Sequence, residues 1–365
     1  HTSGGRNLRM MRTRILNRTA RRALPLTVAI VATLAVAGCQ GAAAADSASP
    51  NAVTIMVHDS FPNDEFAKAA SAATGLDITV LTAGDGGELT NKLVLTQGAP
   101  IADAFFGVDN ALVSRLVEHD VVEPYAAELP EGAADFAFDD EGSVVPVDHG
   151  ATCVNIDPAW FAERGIPAPA SYEDLAKPAY RDLTVLLDPT SSSTGTSFLV
   201  GTVAHFGEDG FAQYWADLLD NGALLAQGWT EGYNGQFTQG GESGTRPIVV
   251  SYSTSPAWTV TEDGSASTTA NLPETCSTQI EYAGVLRGAE NPEGARAVID
   301  YLLSPEFQGT IADTMFMYPV DQSVTLPEEW LRFATLPESL NDLPAATIGA
   351  ERDQWLRSWG EATGF

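Results

Sequence analysis

The fold class is decided by AVTIMV at residues 52–57, DITVLT at 77–82 and ADAFF at 102–106, three β-rich segments of a 365-residue chain. Segments with apolar residues at helical spacing separate and follow them, at 63–73, 88–97 and 110–118. A βαβαβα order of this kind predicts a parallel sheet that is covered by helices on both faces. This part of the chain is therefore predicted to build one α/β lobe.

The remainder of the chain continues the alternation of strands and helices, and no internal repeat occurs. Further strands are predicted at 144–147, 151–156, 183–187, 224–226, 248–251 and 278–285, and helices at 195–206, 209–219, 230–238, 292–303 and 351–359. We expect two α/β lobes with a ligand-binding cleft between them. The expected lobes are residues 51–147 plus 278–316, and residues 148–277 plus 317–365.

Acidic residues dominate the charge of the chain. The formal net charge is −29, from 19 Lys and Arg against 48 Asp and Glu, and seven of the Arg lie in the first 38 residues. Charged residues make up only 18% of the chain and hydrophobic residues 44%, which is not the composition of a disordered protein. An acidic body of this kind is unsuited to nucleic acid or an anionic membrane surface, and it suits cationic or neutral ligands.

The N-terminal segment has the pattern of an export signal. An Arg-rich region at 12–22 precedes an apolar run at 24–37, which is too short for a comfortable membrane span. The run ends in Val-Ala-Gly-Cys at Cys39, which resembles a bacterial lipobox and implies a lipid on that cysteine. We expect residues 1–38 to be a leader and residues 39–50, rich in Ala, Ser and Gly, to be a flexible tether.

Two cysteines remain after Cys39, namely Cys153 and Cys276, and each lies in a strand-like segment. In an exported protein such a pair favours a disulfide, although the sequence alone does not give the distance between them. A metal pair is disfavoured, because neither cysteine has a His or Cys partner at ligand spacing.

Motifs of catalysis are absent from the sequence. It contains no His-Glu-x-x-His, no Cys-x-x-Cys and no Gly-x-Ser-x-Gly. The five histidines show no metal-ligand spacing, and paired acids in so acidic a chain are typical of a solvated face. We therefore expect no metal, no cofactor and no enzymatic activity.

Four aromatic residues lie at element ends or in turns, mostly beside Gly, Ser or Pro, and two acidic residues lie in strand-to-helix turns. These are Trp229, Tyr252, Trp258 and Phe316, together with Asp85 and Asp109. A cation over an aromatic face gains about 0.5–2 kcal/mol, and a carboxylate adds to this where water is excluded. The set predicts a cleft that stacks a flat cation.

Residues 191–195 open a helix, where small hydroxyls and backbone N–H groups favour a hydroxyl or anionic end of a ligand.

Eight short motifs occur in one order along the chain. They are VHDSF (57–61), GDG (84–86), GVDN (107–110), VDHG (147–150), DPTSSSTG (188–195), GWTEGY (228–233), SYSTSPAW (251–258) and MYPV (317–320). Together they resemble the thiamine-binding substrate-binding proteins of bacterial ABC importers, over nearly all of residues 52–362. The resemblance implies a class II periplasmic-binding-protein fold, with two α/β lobes joined by a hinge. It also implies a monomer that closes on thiamine, thiamine monophosphate or thiamine pyrophosphate, delivers it to an ABC permease and touches the membrane only through the Cys39 lipid.

The resemblance further implies which residues contact the ligand. Asp85, Trp229, Tyr252 and Trp258 match the family's contacts to the aminopyrimidine and thiazolium rings, and Ser192 matches its phosphate-side hydroxyl. The expected ligand-binding residues are His58, Asp59, Ser60, Asp85, Gly86, Asp109, Ser192, Ser193, Trp229, Tyr252, Ser255, Trp258 and Phe316.

Other interpretations stay open at the level of sequence. A thiaminase-like enzyme would share this fold and need a cysteine nucleophile, for which Cys153 is the main candidate apart from Cys276. A binder of another small organic cation, such as a polyamine, would suit the acidity but would not need so many aromatics. A ferric-iron binder typically uses adjacent Tyr ligands, and no Tyr-Tyr pair occurs.

Overall fold

The computed structural model describes residues 49–241 and 243–365. The expected leader (1–38), the lipid site at Cys39 and all but the end of the tether (39–50) lie outside the described residues. None of the helices in the described ranges is long and apolar enough to span a bilayer.

Strands and helices alternate through most of the described residues. The strands are β1 (Ala52–Val57), β2 (Asp77–Thr82), β3 (Ala104–Asp109), β4 (Val122–Glu123), β5 (Val145–Ile156), β6 (Thr184–Leu187), β7 (Leu224–Ala226), β8 (Ile248–Tyr252), β9 (Ala270–Leu286) and β10 (Tyr318–Pro319). The helices are α1 (Asn63–Thr74), α2 (Gly86–Leu95), α3 (Ser114–Glu118), α4 (Pro158–Arg164), α5 (Tyr172–Leu175), α6 (Ser193–Phe206), α7 (Phe211–Asp220), α8 (Pro292–Leu302), α9 (Pro305–Gln308), α10 (Ile311–Thr314), α11 (Glu328–Phe333) and α12 (Ala345–Thr363). A π-helical turn covers Thr230–Gln236.

The sheet is mixed, with the parallel pairing expected from the βαβαβα segment in its outer parts and antiparallel strands between them. Its order is β2-β1-β3-β9-β5-β8-β6-β7, with β4 paired to β9 and β10 paired to β5. The pairs among β1, β2 and β3, and among β6, β7 and β8, are parallel as the βα alternation predicts. Between these two parallel groups, β9 and β5 run antiparallel to each other and to their neighbours. The two long strands thus join the parallel halves and form the floor between them.

Strand β5 is continuous over 12 residues, whereas the sequence predicts two strands at 144–147 and 151–156. The polar residues Asp148 and His149 and the following Gly150 interrupt the apolar pattern there. The backbone continues as a strand because β9 and β10 pair with it across this interruption. Long-range pairing overrides local propensity in this segment.

Separate apolar clusters support the two halves of the sheet. One contains the inward residues of β6 and β8 with α6, α7 and the C-terminal helix α12, whose Trp359 meets Trp215 edge to face. Two others hold β1 and β3 against α1 and α8 on one side and against α2 and α3 on the other. This is the two-lobe α/β arrangement expected from the sequence. The residue boundaries given above for the lobes stay a prediction.

Cys153 and Cys276, the pair expected to be bridged, form a disulfide between β5 and β9. The bridge lies at a bulge, where the β5–β9 register shifts between Thr152 and Val154. Both cysteines are fully buried in a small cluster with Ala151. The bridge therefore ties together the two strands that connect the lobes.

Candidate ligand-binding cleft

A cleft of about 310 Å³ with a mixed aromatic and acidic wall lies between the two lobes. Of the thirteen residues expected to bind a ligand, eleven line it: His58, Asp59, Ser60, Asp85, Gly86, Ser193, Trp229, Tyr252, Ser255, Trp258 and Phe316. Residues that are far apart in the chain thus meet at one place. Direct contact of each of them with a ligand stays a prediction.

Asp109 and Ser192, the other two residues expected to bind the ligand, do not line the cleft. Both side chains are fully buried. The Asp109 Oδ1 accepts a hydrogen bond from the Ala111 N–H at 3.0 Å, and the Ser192 Oγ accepts one from the Gly195 N–H at 3.2 Å. Ser192 is the N-cap of α6, so its hydroxyl satisfies a backbone donor instead of facing the cavity.

Asp85 joins elements from both lobes. Its Oδ1 accepts hydrogen bonds from the N–H groups of Gly86 at 2.6 Å and Ser193 at 2.9 Å, and its Oδ2 accepts one from the Trp229 N–H at 2.8 Å. The residue also caps α2 in a capping box with Glu88. Burial raises the pKa of the Asp85 carboxyl, and the hydrogen bonds from the Trp229 and Ser193 N–H groups act in the opposite direction. Oδ2 accepts this one hydrogen bond from the described residues, and Asp85 is among the residues that line the cleft.

Gly86 and Gly87 allow the start of α2 to lie directly against the start of α6. A Cβ atom at Gly86 would come within 2.5 Å of the Ser193 Oγ, and one at Gly87 within 2.4 Å of the Ser191 carbonyl oxygen. The Glu88 N–H donates to that same carbonyl at 2.9 Å. Gly86 therefore has a packing role at this contact in addition to lining the cleft.

Trp229 presents an ordered aromatic wall. Its ring stacks on Tyr233 with centroids 5.0 Å apart and planes 11° apart, and Tyr252 lies at 6.2 Å. The indole Nε1–H donates to the Ser251 Oγ at 2.9 Å, and this Oγ lies 2.8 Å from the Ser255 Oγ. The hydrogen bond and the stack together fix the ring plane, so that one face is held ready for a flat ligand.

Trp258 and Phe316 form a second aromatic pair at the rim. Their centroids are 4.9 Å apart and their planes nearly perpendicular, and the Trp258 side chain is 59% exposed. Phe316 has φ of 55°, in the left-handed region that residues other than glycine rarely adopt. Strained residues of this kind cluster at functional sites, and Phe316 is one of the residues that line the cleft.

Glu281 lines the cleft although no sequence motif marks it as a site residue. It lies on β9, its side chain is almost fully buried, and its Oε1 is 3.4 Å from the His58 Nε2. Other lining residues that were missed are Thr194, Thr230, Tyr233, Asn234, Thr254, Thr314, Met315 and Met317. The lining residues include three acids, Asp59, Asp85 and Glu281, but no Lys or Arg. The electrostatics of the wall therefore favour a cationic group.

Hydroxyl groups form part of the polar wall of the cleft. The Tyr252 hydroxyl lies 2.7 Å from the Thr194 Oγ1 at the start of α6. Burial and the nearby Glu281 carboxylate raise the pKa of the Tyr252 phenol well above its ordinary value, so the hydroxyl stays protonated. Ser193 and Ser60 add two further hydroxyls to the lining.

Neither cysteine that was considered as the nucleophile of a thiaminase-like enzyme is free to react in the structure. Cys153 and Cys276 are bonded to each other, fully buried and absent from the cleft wall. Within the described ranges, no group of three or more His, Cys, Asp or Glu side chains has the geometry of a metal site.

Residues 99–338, more than half of the chain, match the family model of the bacterial extracellular solute-binding proteins. The thiamine-binding periplasmic protein of Escherichia coli K12 is 27% identical over 321 residues, covering 85% of this chain and 93% of that protein. The protein of the same name from Brucella melitensis biotype 1 is 28% identical over 321 residues, covering 85% of this chain and 92% of that protein. A solved structure of a periplasmic thiamin binding protein has a TM-score of 0.74 at 25% identity and covers 86% of this chain and 96% of its own.

These matches extend over both lobes and the cleft between them, and they confirm the two-lobe periplasmic-binding-protein fold expected from the sequence motifs. They also place the chain among proteins that bind solutes outside the cytoplasm. The chain belongs to the family of bacterial extracellular solute-binding proteins.

Proposed function

We propose that this solute-binding protein captures thiamine in the interlobe cleft and delivers it to an ABC permease. The single observation that carries the proposal is the wall itself, in which the fixed ring of Trp229 and the Tyr252 ring lie beside Asp85 and Glu281, with no Lys or Arg in the lining. Thiamine has a flat aminopyrimidine ring and a permanently charged thiazolium ring. The names of the related proteins support the same ligand.

The chemistry of the wall suggests an orientation for the ligand. The remaining lone pair of the Asp85 Oδ2 is an acceptor for the aminopyrimidine amino group, with the ring against Trp229. The thiazolium charge then lies toward Glu281, and the hydroxyethyl end toward the hydroxyls of Ser193 and Thr194. Thiamine monophosphate and thiamine pyrophosphate extend that same end and are the other candidate ligands.

We also propose how the protein is anchored to the membrane. The Cys39 lipid would anchor the chain to the outer face of the membrane through the tether at 39–50, while the body acts as a monomer. The ligand is returned unchanged, because the protein serves transport and not turnover.

Calorimetric titration of ligand-stripped protein tests the function. We expect one thiamine per chain with sub-micromolar affinity, quenching of Trp fluorescence, and intact thiamine by mass spectrometry after denaturation. Oxythiamine, in which an oxygen replaces the amino group, should bind about ten- to hundredfold more weakly, since one charge-assisted hydrogen bond is lost.

Two controls separate the alternatives. Spermidine tests for a general organic-cation binder and should give no heat at concentrations that saturate with thiamine. The proposal fails if thiamine, its monophosphate and its pyrophosphate all fail to bind, or if the recovered ligand has been cleaved.

A further inference from the structure

Three acidic residues lie side by side on three adjacent strands beneath the cleft. In the register of the sheet, Glu281 on β9 pairs with Asp109 on β3 and with Asp148 on β5. Residues directly opposite each other in antiparallel strands have Cβ atoms about 4.5–5.5 Å apart and point to the same face. The three carboxyl groups therefore form a short line across the floor between the lobes, here called the carboxyl row.

The carboxyl row is buried and incompletely hydrogen-bonded. Asp109 and Asp148 are fully buried, and only 7% of Glu281 is exposed, at the cleft wall. Within the described part of the chain, both Asp148 oxygens and the Asp109 Oδ2 have no hydrogen-bond partner. Buried carboxylates normally have several donors, so this row lacks the groups that would stabilise three negative charges.

The groups that face the row do not supply a permanent positive charge. His58 lies against Glu281, Asp85 and Asp59 add negative charge from the other side of the cleft, and Tyr252 on β8 has a neutral hydroxyl. Like charges in contact cannot all ionise, and such neighbours share protons as one coupled system. Burial and the Glu281 charge raise the pKa values of both Asp148 and Asp109 well above the ordinary range.

We propose that the carboxyl row of Asp109, Glu281 and Asp148 holds at least one proton while the cleft is empty and releases it when a cationic ligand binds beside Glu281. The inference rests on the proposed function to the extent that the cation is the thiazolium ring of thiamine. A positive charge next to Glu281 stabilises the ionised form of the row, so the ligand lowers the pKa values and the proton leaves to solvent. Capture of the cation is thus coupled to proton release.

The sign of the coupling gives a pH dependence. Because binding releases a proton, the affinity for the cation rises with pH. The rise is up to about tenfold per pH unit. It applies over the pH range in which the carboxyl row is protonated in the empty protein and ionised in the complex. A ligand that lacks the fixed charge, such as 4-amino-5-hydroxymethyl-2-methylpyrimidine, should show no such dependence.

Two measurements test the proposal. Infrared spectroscopy of the empty protein in D2O at neutral pH should detect the carbonyl stretch of a protonated carboxyl, and thiamine should remove it. Calorimetry in buffers of different ionisation enthalpy should show release of up to about one proton per thiamine. The double variant Asp109→Asn/Asp148→Asn should lose both signals, whereas the exposed Asp77→Asn should keep both.

If the variants do not fold, the infrared and calorimetric measurements on wild-type protein alone still decide whether the proposal holds. The proposal is overturned if the empty protein shows no protonated carboxyl, or if thiamine binds without proton release. It is also overturned if release is lost in His58→Gln but kept in the double variant, because the proton would then come from the imidazole. Failure of thiamine to bind would refute the proposed function, while the infrared signal of the empty protein would still report on the row.

Discussion

Asp85 carries two tasks at the scale of single residues. Its carboxylate accepts N–H groups at the start of α2, at the start of α6 and at Trp229, which belong to both sides of the cleft. It also lines the cleft. A sequence motif of two glycines around an acid predicts only the second task, because two of the three donors, Ser193 and Trp229, lie more than 100 positions away.

The Asp85→Asn variant tests both tasks together. Its amide nitrogen faces backbone donors, so we expect the free energy of unfolding to fall by about 1–3 kcal/mol and thiamine affinity to fall about ten- to hundredfold. Urea denaturation and calorimetry measure the two effects. If the thiamine affinity stays within about twofold of wild type and the free energy of unfolding within about 0.5 kcal/mol, Asp85 only ends a turn.

Ser192→Ala separates a buried cap from a ligand contact. Since the hydroxyl caps α6 and does not reach the cleft, the variant should lose about 0.5–2 kcal/mol of stability. The affinities for thiamine and for its monophosphate should change equally and little, because no ligand contact is removed. Thr194→Val, a residue on the wall, is the matched comparison. A selective loss of monophosphate binding in Ser192→Ala would place this hydroxyl at the ligand after all.

At the scale of elements, the local patterns in the sequence predict the outer strands well and the central ones poorly. β1, β2 and β7 have the predicted bounds, because each is a short apolar run between turn residues. β9 begins at Ala270 instead of 278, since Pro273 and Glu274 break its pattern while pairing with β5 extends it. Local patterns also did not mark Glu281 as a site residue. An acid that alternates with apolar residues is typical of a solvated strand face, and only the neighbouring strands bury this one.

The disulfide between β5 and β9 should matter for stability more than for binding. It closes a loop of 123 residues, for which the chain-entropy account gives about 5 kcal/mol. We expect the Cys153→Ser/Cys276→Ser variant to unfold at markedly lower urea concentration and to bind thiamine with nearly unchanged affinity, since neither residue lines the cleft. Non-reducing peptide mapping of wild type should show the two peptides linked. Two free thiols in exported protein would contradict the bridge and renew interest in the enzyme interpretation.

At the scale of the whole molecule, the acidic residues are distributed between the surface and the region of the cleft. Among the described residues, most Asp and Glu lie in exposed or partly exposed positions, but Asp109 and Asp148 are fully buried below the cleft. Burying two carboxyl groups without full hydrogen bonding costs stability whenever they ionise. The fold is thus less stable at the central strands beneath the cleft, which is the place where a cation would bind.

This cost predicts how stability depends on pH. Asp148 and Asp109 have raised pKa values in the folded protein, so folding takes up protons and the free energy of unfolding falls as pH rises above the unfolded-state value of about 3.9. Asp148→Asn should therefore raise Tm at neutral pH and flatten its pH dependence. Asp77→Asn removes the same charge from an exposed position and should do neither. Equal changes in the two variants would indicate general charge repulsion and not the buried carboxyl.

Hydrogen–deuterium exchange with and without saturating thiamine tests most directly the claim that the ligand is held between the two lobes. We predict slower exchange on both sides of the cleft, at residues 85–88 in one lobe and at 192–196 and 228–234 in the other, and no change in the distant helix α12. Unchanged exchange at these segments, or protection confined to one lobe, would contradict the account.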